Sequence, residues 1–490
     1  HKDNKMQTLE ELDQAAKQEL DRIAALPTLS MKDKVAIPPQ KAADLPPDSR
    51  KRTMDETSLG LTKNQAILEA HRCVKCKKPF CTAACPIGMP VPQYLECVAA
   101  GDIQGAIDII RATSLLPSIC SRVCPHERQC QSNCTMGKSH KDMSKGLQLG
   151  QMERFCTDYE REHLGGKKAL PIAAPTGKKI AVIGSGPAGI AAAIDLRTKG
   201  HEVVIFESKE KLGGVLRYGI PEFRLPKHIL DYELSILPQM GIECKTNVDV
   251  FKDISIGDLW AQGFNAVFIA YGASTPIKAK VPGEDLKGVF TAEEYLRNAN
   301  CGEAIDSGKN VVVVGGGNVA MDASRMAYRL GAEKVRIVYR RTQSEMPSCK
   351  AEISEALEEG AEIVELRSPT EFVADENGRV AKANLSVFEL GEPDENGRRK
   401  PIVVDGASDT IDCDTVVIAI GSRVDSSAKE SIQGLETNPN GTILVREGTN
   451  QTSVQNVFVG GDAQLGPMTV VMAMRTGREA AAGIHEQLIA

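Results

Sequence analysis

The sequence predicts an α/β protein: two Rossmann-like dinucleotide-binding domains, one inserted in the other, preceded by an α-helical domain dense in cysteine. Three observations point there. From Lys178 onward, short β-rich runs (Lys179 to Ile183, Glu202 to Phe206, Ala266 to Ala270, Val311 to Val314) alternate with helical segments, the pattern of parallel α/β layers. The strand-to-helix turn Val182-Ile183-Gly184-Ser185-Gly186-Pro187-Ala188-Gly189 is echoed by Val313-Val314-Gly315-Gly316-Gly317-Asn318-Val319-Ala320, and Phe268-Ile269-Ala270-Tyr271-Gly272 by Val417-Ile418-Ala419-Ile420-Gly421. Eight of the 14 cysteines form two strings inside the helical stretch from Thr57 to His163.

With 490 residues, of which 42% are apolar, the chain can bury about three cores at roughly 150 residues per domain. Its net charge is −6, with acids and bases interspersed, so it carries no broad electrostatic footprint for nucleic acid. The longest apolar run, Ile180 to Ile194, is broken by Ser185 and Pro187 and is too short for a membrane span. The first residues show no charged head followed by an apolar stretch. A cytoplasmic protein is expected, whose cysteines are thiols or metal ligands rather than disulfides.

Residues 1–56 read as an arm. Leu9, Leu12, Ala16, Leu20, Ile23 and Ala24 mark one face of a helix from Leu9 to Ala25, and a Pro-rich connector runs from Ile37 to Pro47. Its acidic polar face suits a strap on this chain or a partner better than a membrane surface. Residues 57–165 form the helical domain, in which Asp102 caps a helix with Ile103, Ala106, Ile107 and Ile110 on one face.

The strings are Cys73-x2-Cys76-x4-Cys81-x3-Cys85-Pro86 and Cys120-x3-Cys124-Pro125-x4-Cys130-x3-Cys134. Soft thiolates on short loops suit zinc or iron–sulfur groups. Zinc ribbons favour paired C-x2-C knuckles, and only one occurs here. Proline after a ligand cysteine is a ferredoxin feature, as is a string whose last cysteine serves the other cluster. Two [4Fe-4S] clusters are therefore expected. If the ligands cross in that way, Cys73, Cys76 and Cys81 join Cys134, and Cys85, Cys124 and Cys130 need one more group, either Cys120 or Glu153. The remaining Cys97, Cys156, Cys244, Cys301, Cys349 and Cys413 are expected to be buried small hydrophobes.

Gly184-x-Gly186-x-x-Gly189 opens an alanine-rich helix through Pro187 and Ala188, and Glu207 ends the next strand about 20 residues on. Glycines let the backbone approach a pyrophosphate at a helix N-terminus, and an acid at that distance holds ribose hydroxyls. In the second unit, Gly315-x-Gly317-x-x-Ala320 leads through Asn318 and Val319 into a helix, and the strand Val335 to Tyr339 ends in Arg340-Arg341. Guanidinium groups in place of the carboxylate favour a 2′-phosphate, hence NADP(H). Around 370 to 412, turns at Asn377-Gly378 and Asn396-Gly397 between alternating stretches predict an antiparallel meander. Toward the C-terminus, Val457 to Asp462 reads as an apolar strand ending in Gly-Asp, before a helix from about Met468. This resembles the second FAD motif of two-dinucleotide-domain flavoproteins. That implies FAD in the first unit, with Gly461 and Asp462 as ligands and the helix start at Met468 and Thr469 aimed at the isoalloxazine. Gly213, Gly214, Gly272 and Gly421 complete the candidate cofactor-binding residues. No C-x2-C or C-x4-C follows residue 134, so a redox-active disulfide beside the flavin has no support.

Together the motifs resemble the small (β) subunit of NADPH-dependent glutamate synthase and its relatives, the large subunit of NADH-dependent ferredoxin:NADP oxidoreductase and the N-terminal half of dihydropyrimidine dehydrogenase. The resemblance covers roughly residues 60 to 488. It rests on Cys120-Ser121-Arg122-Val123-Cys124-Pro125, Gly219-Ile220-Pro221-Glu222-Phe223-Arg224-Leu225, Gly315 to Asp322, and Tyr339-Arg340-Arg341 with Met346-Pro347. It implies crossed cluster ligation, with Glu or Gln at the position of Glu153 able to serve as a ligand. It also implies an FAD-binding domain at 166–290 and 422–490, and an NADPH-binding domain at 291–421. The activity implied is an NADPH-dependent oxidoreductase that sends electrons through FAD and two [4Fe-4S] clusters to a larger redox subunit in a hetero-oligomer. No catalytic acid or base is expected. Alternatives are a ferredoxin:NADP oxidoreductase, bifurcating or not, and a non-enzymatic electron-wire subunit; the intact Gly315 loop argues against the last. Glutamate formation itself is not expected here, since these residues hold neither an N-terminal nucleophilic cysteine nor eight β/α units for an FMN barrel.

Overall fold

The N-terminal amphipathic stretch forms helix α1 (Leu9–Ala24) in the computed structural model, which describes residues 7–395 and 397–490. Thr8 and Glu11 close a reciprocal capping box at its start. Its buried Ala16 and Ile23 pack with Ile37 and Leu68, so the arm straps onto this chain's own helical domain. Farther on, Ala43–Asp44 pairs antiparallel with Ser58–Gly60, and Arg50 reaches Glu358 and Glu359 at 2.8 and 3.1 Å. Among the described residues no helix is long and apolar enough to cross a membrane.

The helical domain contains α2 (Lys63–His71), α3 (Val91–Ala99), α4 (Ile103–Thr113), α5 (Pro117–Val123) and α6 (Leu149–His163). Asp102 caps α4 by accepting from the Gly105 N–H at 2.9 Å, and the predicted face Ile103, Ala106, Ile107 and Ile110 is buried against Tyr94, Leu95 and Met152. Helix α5 behaves differently. Leu116, Ile119 and Cys120 belong to the core of the next unit, packed with Ala188 and Val471.

That unit begins with β1 (Lys179–Ile183), α7 (Pro187–Thr198), β2 (Glu202–Phe206), β3 (Glu243–Lys245) and β4 (Ala266–Ile269). An inserted unit follows: β5 (Val289–Thr291), α8 (Ala292–Cys301), β6 (Asn310–Val314), α9 (Asn318–Arg329), β7 (Lys334–Tyr339), α10 (Lys350–Glu358) and β8 (Glu362–Glu365). It continues through β9 (Arg367–Ala374), β10 (Val380–Pro393), β11 (Arg399–Asp412) and β12 (Thr415–Ile418). The chain then returns as β13 (Val457–Val459) and α11 (Val470–Ile489). Two parallel five-stranded sheets result, ordered β3-β2-β1-β4-β13 and β8-β7-β6-β12-β5. Strands β9, β10 and β11 form the antiparallel meander. The Asn377-Gly378 turn lies between its first two strands; of the second predicted turn, Asn396 lies outside the described residues.

The expected boundary at 290/291 cuts strand β5, which pairs with β12 inside the inserted unit. The two crossings between the units instead pair with each other, Thr275–Pro276 against Ser422–Arg423. A three-residue strand shows too little alternation to betray which sheet it joins.

The helical domain is locked to the first nucleotide unit by a fully buried carboxylate. Glu233 receives Arg111 of α4 at 2.8 Å, Lys167 at 2.8 Å and the Ser118 N–H of α5 at 3.1 Å. Burial alone would raise its pKa, but Lys167 and Arg111 outweigh that and hold it well below the usual carboxylate range. Glu233→Ala strands the buried Lys167, leaves Arg111 with Glu160 alone, and should cost about 3–5 kcal/mol, read as a lower urea midpoint. Because the folded-state pKa is depressed, the contribution is full above the ordinary glutamate pKa of about 4.3 and fades as pH falls below it. The gap between wild type and variant should therefore narrow in acid.

Candidate cofactor sites

The first glycine loop divides into crowded and open positions. A Cβ on Gly184 would meet the Ala270 carbonyl oxygen at 2.4 Å, and one on Gly189 would meet the Gly184 carbonyl oxygen at 2.0 Å. Gly186 has nothing within 4 Å. The first and third glycines thus serve the turn and the helix–strand contact, while the second faces open space at the start of α7, where a pyrophosphate could approach. Pro187 occupies the first turn of that helix and Ala188 is buried. Glu207 accepts from the Ser185 N–H at 3.1 Å and hydroxyl at 2.5 Å, and Ser185 Oγ accepts from the Gly213 N–H at 3.0 Å. Gly214 lies against Gly186, its Cβ position 3.1 Å from the Gly186 Cα. The predicted acid, the loop and the Gly213-Gly214 turn are thereby one hydrogen-bonded unit.

Asp462 follows β13, and the Cβ position of the preceding Gly461 lies 2.9 Å from the Ala188 Cβ of the loop. Burial pushes the pKa of Asp462 up to about 6, and its carboxylate accepts from the Met468 N–H at 3.2 Å. Gly461 donates to Thr476 Oγ1 at 2.7 Å. Thr469 caps α11, placing that helix start beside Asp462, and Met468 is exposed. Gly272 carries no neighbour within 4 Å of its Cβ position.

The second loop repeats this geometry. A Cβ on Gly315 would meet the Ala419 carbonyl oxygen at 2.2 Å, while Gly317 has nothing within 4 Å and Ala320 is buried in the third position. Ala270 and Ala419 are equivalent residues of the echoed strand ends, with Gly272 and Gly421 two residues beyond each. Asn318 is held by Ser348 Oγ at 2.7 Å and the Cys349 N–H at 2.9 Å, and Val319 is exposed.

The arginine pair splits. Arg340 is exposed and has no hydrogen-bond or ion-pair partner among the described residues, whereas Arg341 is buried and its Nε donates to the Arg399 carbonyl at 2.7 Å. The β10–β11 hairpin adds two residues that sequence reasoning missed. Arg398 donates to the Tyr339 hydroxyl at 3.1 Å, and Arg399 Nε donates to Glu345 at 2.6 Å. Only the folded hairpin brings these positions to the end of β7.

The cysteines regroup across the two strings. Cys73, Cys76, Cys81 and Cys134 line one void, together with Phe80, Val91 and Leu95. Burial raises the thiols of Cys73 and Cys81, the latter to about 11. Burial raises the thiols of Cys85 and Cys130, the neighbouring Cys120 thiol and burial raise that of Cys124, and the Glu153 carboxylate adds to the rise at all three. Glu153, on α6, is buried without a hydrogen-bond or ion-pair partner among the described residues, and burial pushes its pKa up to about 8. The Tyr94 hydroxyl is also buried without a partner, a feature with no sequence signal. All 14 cysteines are free thiols. Among the described residues no three His, Cys, Asp or Glu groups are arranged to hold a single metal ion. Free thiols around an apolar void, and a carboxylate with nothing to neutralise it, fit a metal–sulfur group of larger size. Of the six isolated cysteines, Cys156, Cys349 and Cys413 are buried, and Cys97 and Cys244 partly so. Cys301 departs from expectation: it is exposed at the last turn of α8, before Gly302 ends the helix.

Residues 178–477 match the pyridine nucleotide-disulphide oxidoreductase family, and residues 50–164 match domain II of dihydropyrimidine dehydrogenase, a 4Fe-4S cluster domain. The glutamate synthase [NADPH] small chain of Escherichia coli (strain K12) is 34% identical over 465 residues, 92% of this chain and 96% of that one. The chain belongs to the glutamate synthase small-chain family. The NADP(+)-dependent formate dehydrogenase subunit beta of Moorella thermoacetica is 37% identical over 440 residues, 84% of this chain and 60% of that one. The nucleotide-binding fold is shared with Mycobacterium tuberculosis FprA in complex with NADPH, at a TM-score of 0.53 and 20% identity over 64% of this chain and 84% of that chain.

This glutamate synthase small-chain relative is an NADPH-dependent flavin and iron–sulfur oxidoreductase, with FAD, NADP(H) and [4Fe-4S] clusters as cofactors. Two phrases that carry the resemblance meet in the structure. Arg224 of the first unit grips Asp322 of α9 at 2.8 and 2.9 Å, and Arg329 lies 3.8 Å over the Phe223 ring. Because Gly317 faces open space, Gly317→Ala should fold normally and obstruct only the nucleotide. The KM for NADPH should rise about tenfold, roughly 1.4 kcal/mol, with FAD content and unfolding midpoint unchanged. A parallel loss of FAD would count against this division of the two loops.

Proposed function

We propose that NADPH binds at Gly315, Gly317 and Ala320 with its 2′-phosphate at Arg340, and that FAD lies along Gly184, Gly186 and Gly189, with Glu207, Gly461 and Asp462 as its polar contacts. The electrons then leave through two clusters to a larger redox subunit, of the kind that completes a glutamate synthase, in a cytoplasmic hetero-oligomer. Bound FAD supplies hydride acceptance and single-electron release, and [4Fe-4S] clusters relay one electron at a time. The protein's own share is positioning. The observation that supports the order of the route is where α5 sits: Cys120 lies in the core of the first nucleotide unit with Cys124 packed against it, whereas Cys85 and Cys130, like Cys73, Cys81 and Cys134, pack in the helical-domain core, so Cys124 alone of the seven reaches the first unit's core among the described residues. The Cys85, Cys124 and Cys130 set therefore stands nearer the flavin, and the Cys73, Cys76, Cys81 and Cys134 set nearer the exit.

Glu153 is the better fourth ligand of the inner set. A buried carboxylate without a hydrogen bond is costly unless a cation neutralises it, whereas Cys120 is accounted for as a buried hydrophobe in the core of the first nucleotide unit. Iron should approach about eight atoms per chain for two [4Fe-4S] groups. Glu153→Ala should alter or remove one EPR signal while Cys120→Ala keeps both; the reverse result would make Cys120 the ligand.

A second reading, with ferredoxin or another redox protein as partner and flow in either direction, draws on the 37% identity to the formate dehydrogenase subunit. The polypeptide that co-purifies with the chain decides between the two. For the entry step, NADPH should bleach the flavin absorbance near about 450 nm, and an FAD-loaded protein that does not bleach would end the NADPH reading. Arg340→Ala should raise the KM for NADPH by about ten- to hundredfold, the worth of a charge-assisted hydrogen bond, and barely change that for NADH. Equal losses for both nucleotides would remove the phosphate from Arg340.

A further inference from the structure

The void lined by Cys73, Cys76, Cys81 and Cys134 has one wall at the surface. Phe80 lines it and is nevertheless 53% exposed. Segment 73–81, which lines the void, and segment 134–145, whose first residues Cys134, Thr135 and Met136 line it, carry exposed Lys75, Lys77, Lys78, Lys138, Lys141 and Lys145 against a single acid, Asp142. That acid is engaged by the Ser144 N–H at 3.0 Å and the Ser144 hydroxyl at 2.6 Å. Lys75 pairs with Glu96, and Lys138 lies 4.5 Å over the Phe80 ring. The other four lysines have no ion-pair partner among the described residues. A chain of net charge −6 thus carries unpaired positive charge on the two segments that hold one exposed aromatic ring and the lysine stacked on it.

Ammonium groups that served a buried cluster would point inward and donate to it. These stand in water, where their field reaches about 10 Å before it is screened and so acts on an approaching charged surface. An aromatic centre inside a charged rim is also the anatomy of a protein–protein contact. We propose that this lysine collar around Phe80 is the electron-exit surface and docks an acidic face of the accepting protein. The inference rests on the proposed route, in which this thiol set holds the outer cluster.

The test uses the cofactor-loaded full chain, with an acidic plant-type [2Fe-2S] ferredoxin as probe and basic cytochrome c as the opposite-charge control. Lys77→Glu/Lys78→Glu/Lys141→Glu should lower kcat/KM for ferredoxin at low salt by about tenfold or more and flatten its dependence on ionic strength. Calorimetric binding of oxidised ferredoxin should weaken by a similar factor. Reduction of cytochrome c should hold or rise, and flavin bleaching by NADPH should not change. Lys252→Glu, on the first nucleotide unit and outside the two lysine-bearing segments, should leave all four readouts unaltered. The collar is overturned if wild type with a bleachable flavin fails to reduce ferredoxin, if the triple variant keeps its salt dependence, or if both carriers are slowed alike. Loss of bleaching in wild type would instead defeat the underlying NADPH-to-flavin reading.

Discussion

Burial of one carboxylate fixes where the thiols stand relative to the flavin unit. Glu233 is wholly enclosed, and its neighbours come from both sides of the domain boundary: Arg111 and the Ser118 N–H from the helical domain, Lys167 from the linking segment. Arg111 in turn holds Glu160, which also accepts from the Tyr232 hydroxyl at 2.9 Å. An uncompensated ion at such a site would be expensive, so the domains cannot slide apart without exposing several charges at once. Electron relay has no proton to move and no bond to orient; what it asks of the protein is a fixed separation. Packing therefore does here what a catalytic side chain does in a hydrolase.

The two nucleotide loops show how much of that packing could be read in advance. Gly184 and Gly315 press against Ala270 and Ala419 carbonyls, and Gly186 and Gly317 face open space. Each of these demands is local: a missing Cβ, a strand before and a helix after. Local demands leave a sequence signature, so both sheets, the insertion and the echo between strand ends were legible. Long-range contacts leave none. Arg398 and Arg399 reach β7 only because β10 and β11 form a long hairpin, and nothing near Arg341 announces that its Nε is spent on the Arg399 carbonyl. The misplaced boundary at 290/291 has the same origin, since membership of β5 is decided by its partner β12 and not by its own three residues.

The cysteine strings fall between these cases. Their spacing announces eight donors for two groups, yet spacing cannot say which thiols converge. Crossing follows from the fold: Cys134 is delivered by a turn that returns beside α3, and Cys85 is carried away at the end of its string toward Glu153 on α6. The sequence could name Glu153 beside Cys120 as a candidate fourth ligand, and the resemblance allowed it, but could not choose, because a glutamate in mid-helix otherwise reads as solvated surface. The structure supplies the physical reason to take it seriously, namely a carboxylate hidden among raised thiols with no hydrogen-bond or ion-pair partner among the described residues.

The second string is clamped from two directions, and this shapes what substitutions far from either glycine loop should do. On one side α5 shares the core of the first nucleotide unit. On the other, Glu127 accepts from the Lys350 N–H and Arg128 donates to the Ser348 carbonyl, both at 2.5 Å, next to the residues that hold Asn318. The segment between Cys124 and Cys130 is thereby tied to both nucleotide units, with the arm adding a third strap through Arg50 and Glu359. A chain organised in this way has little use for a moving lid between its own cofactors. Its variable element is the outer surface, where the charge of the collar, unlike the geometry of the interior, can change from one acceptor to another without disturbing the route behind it.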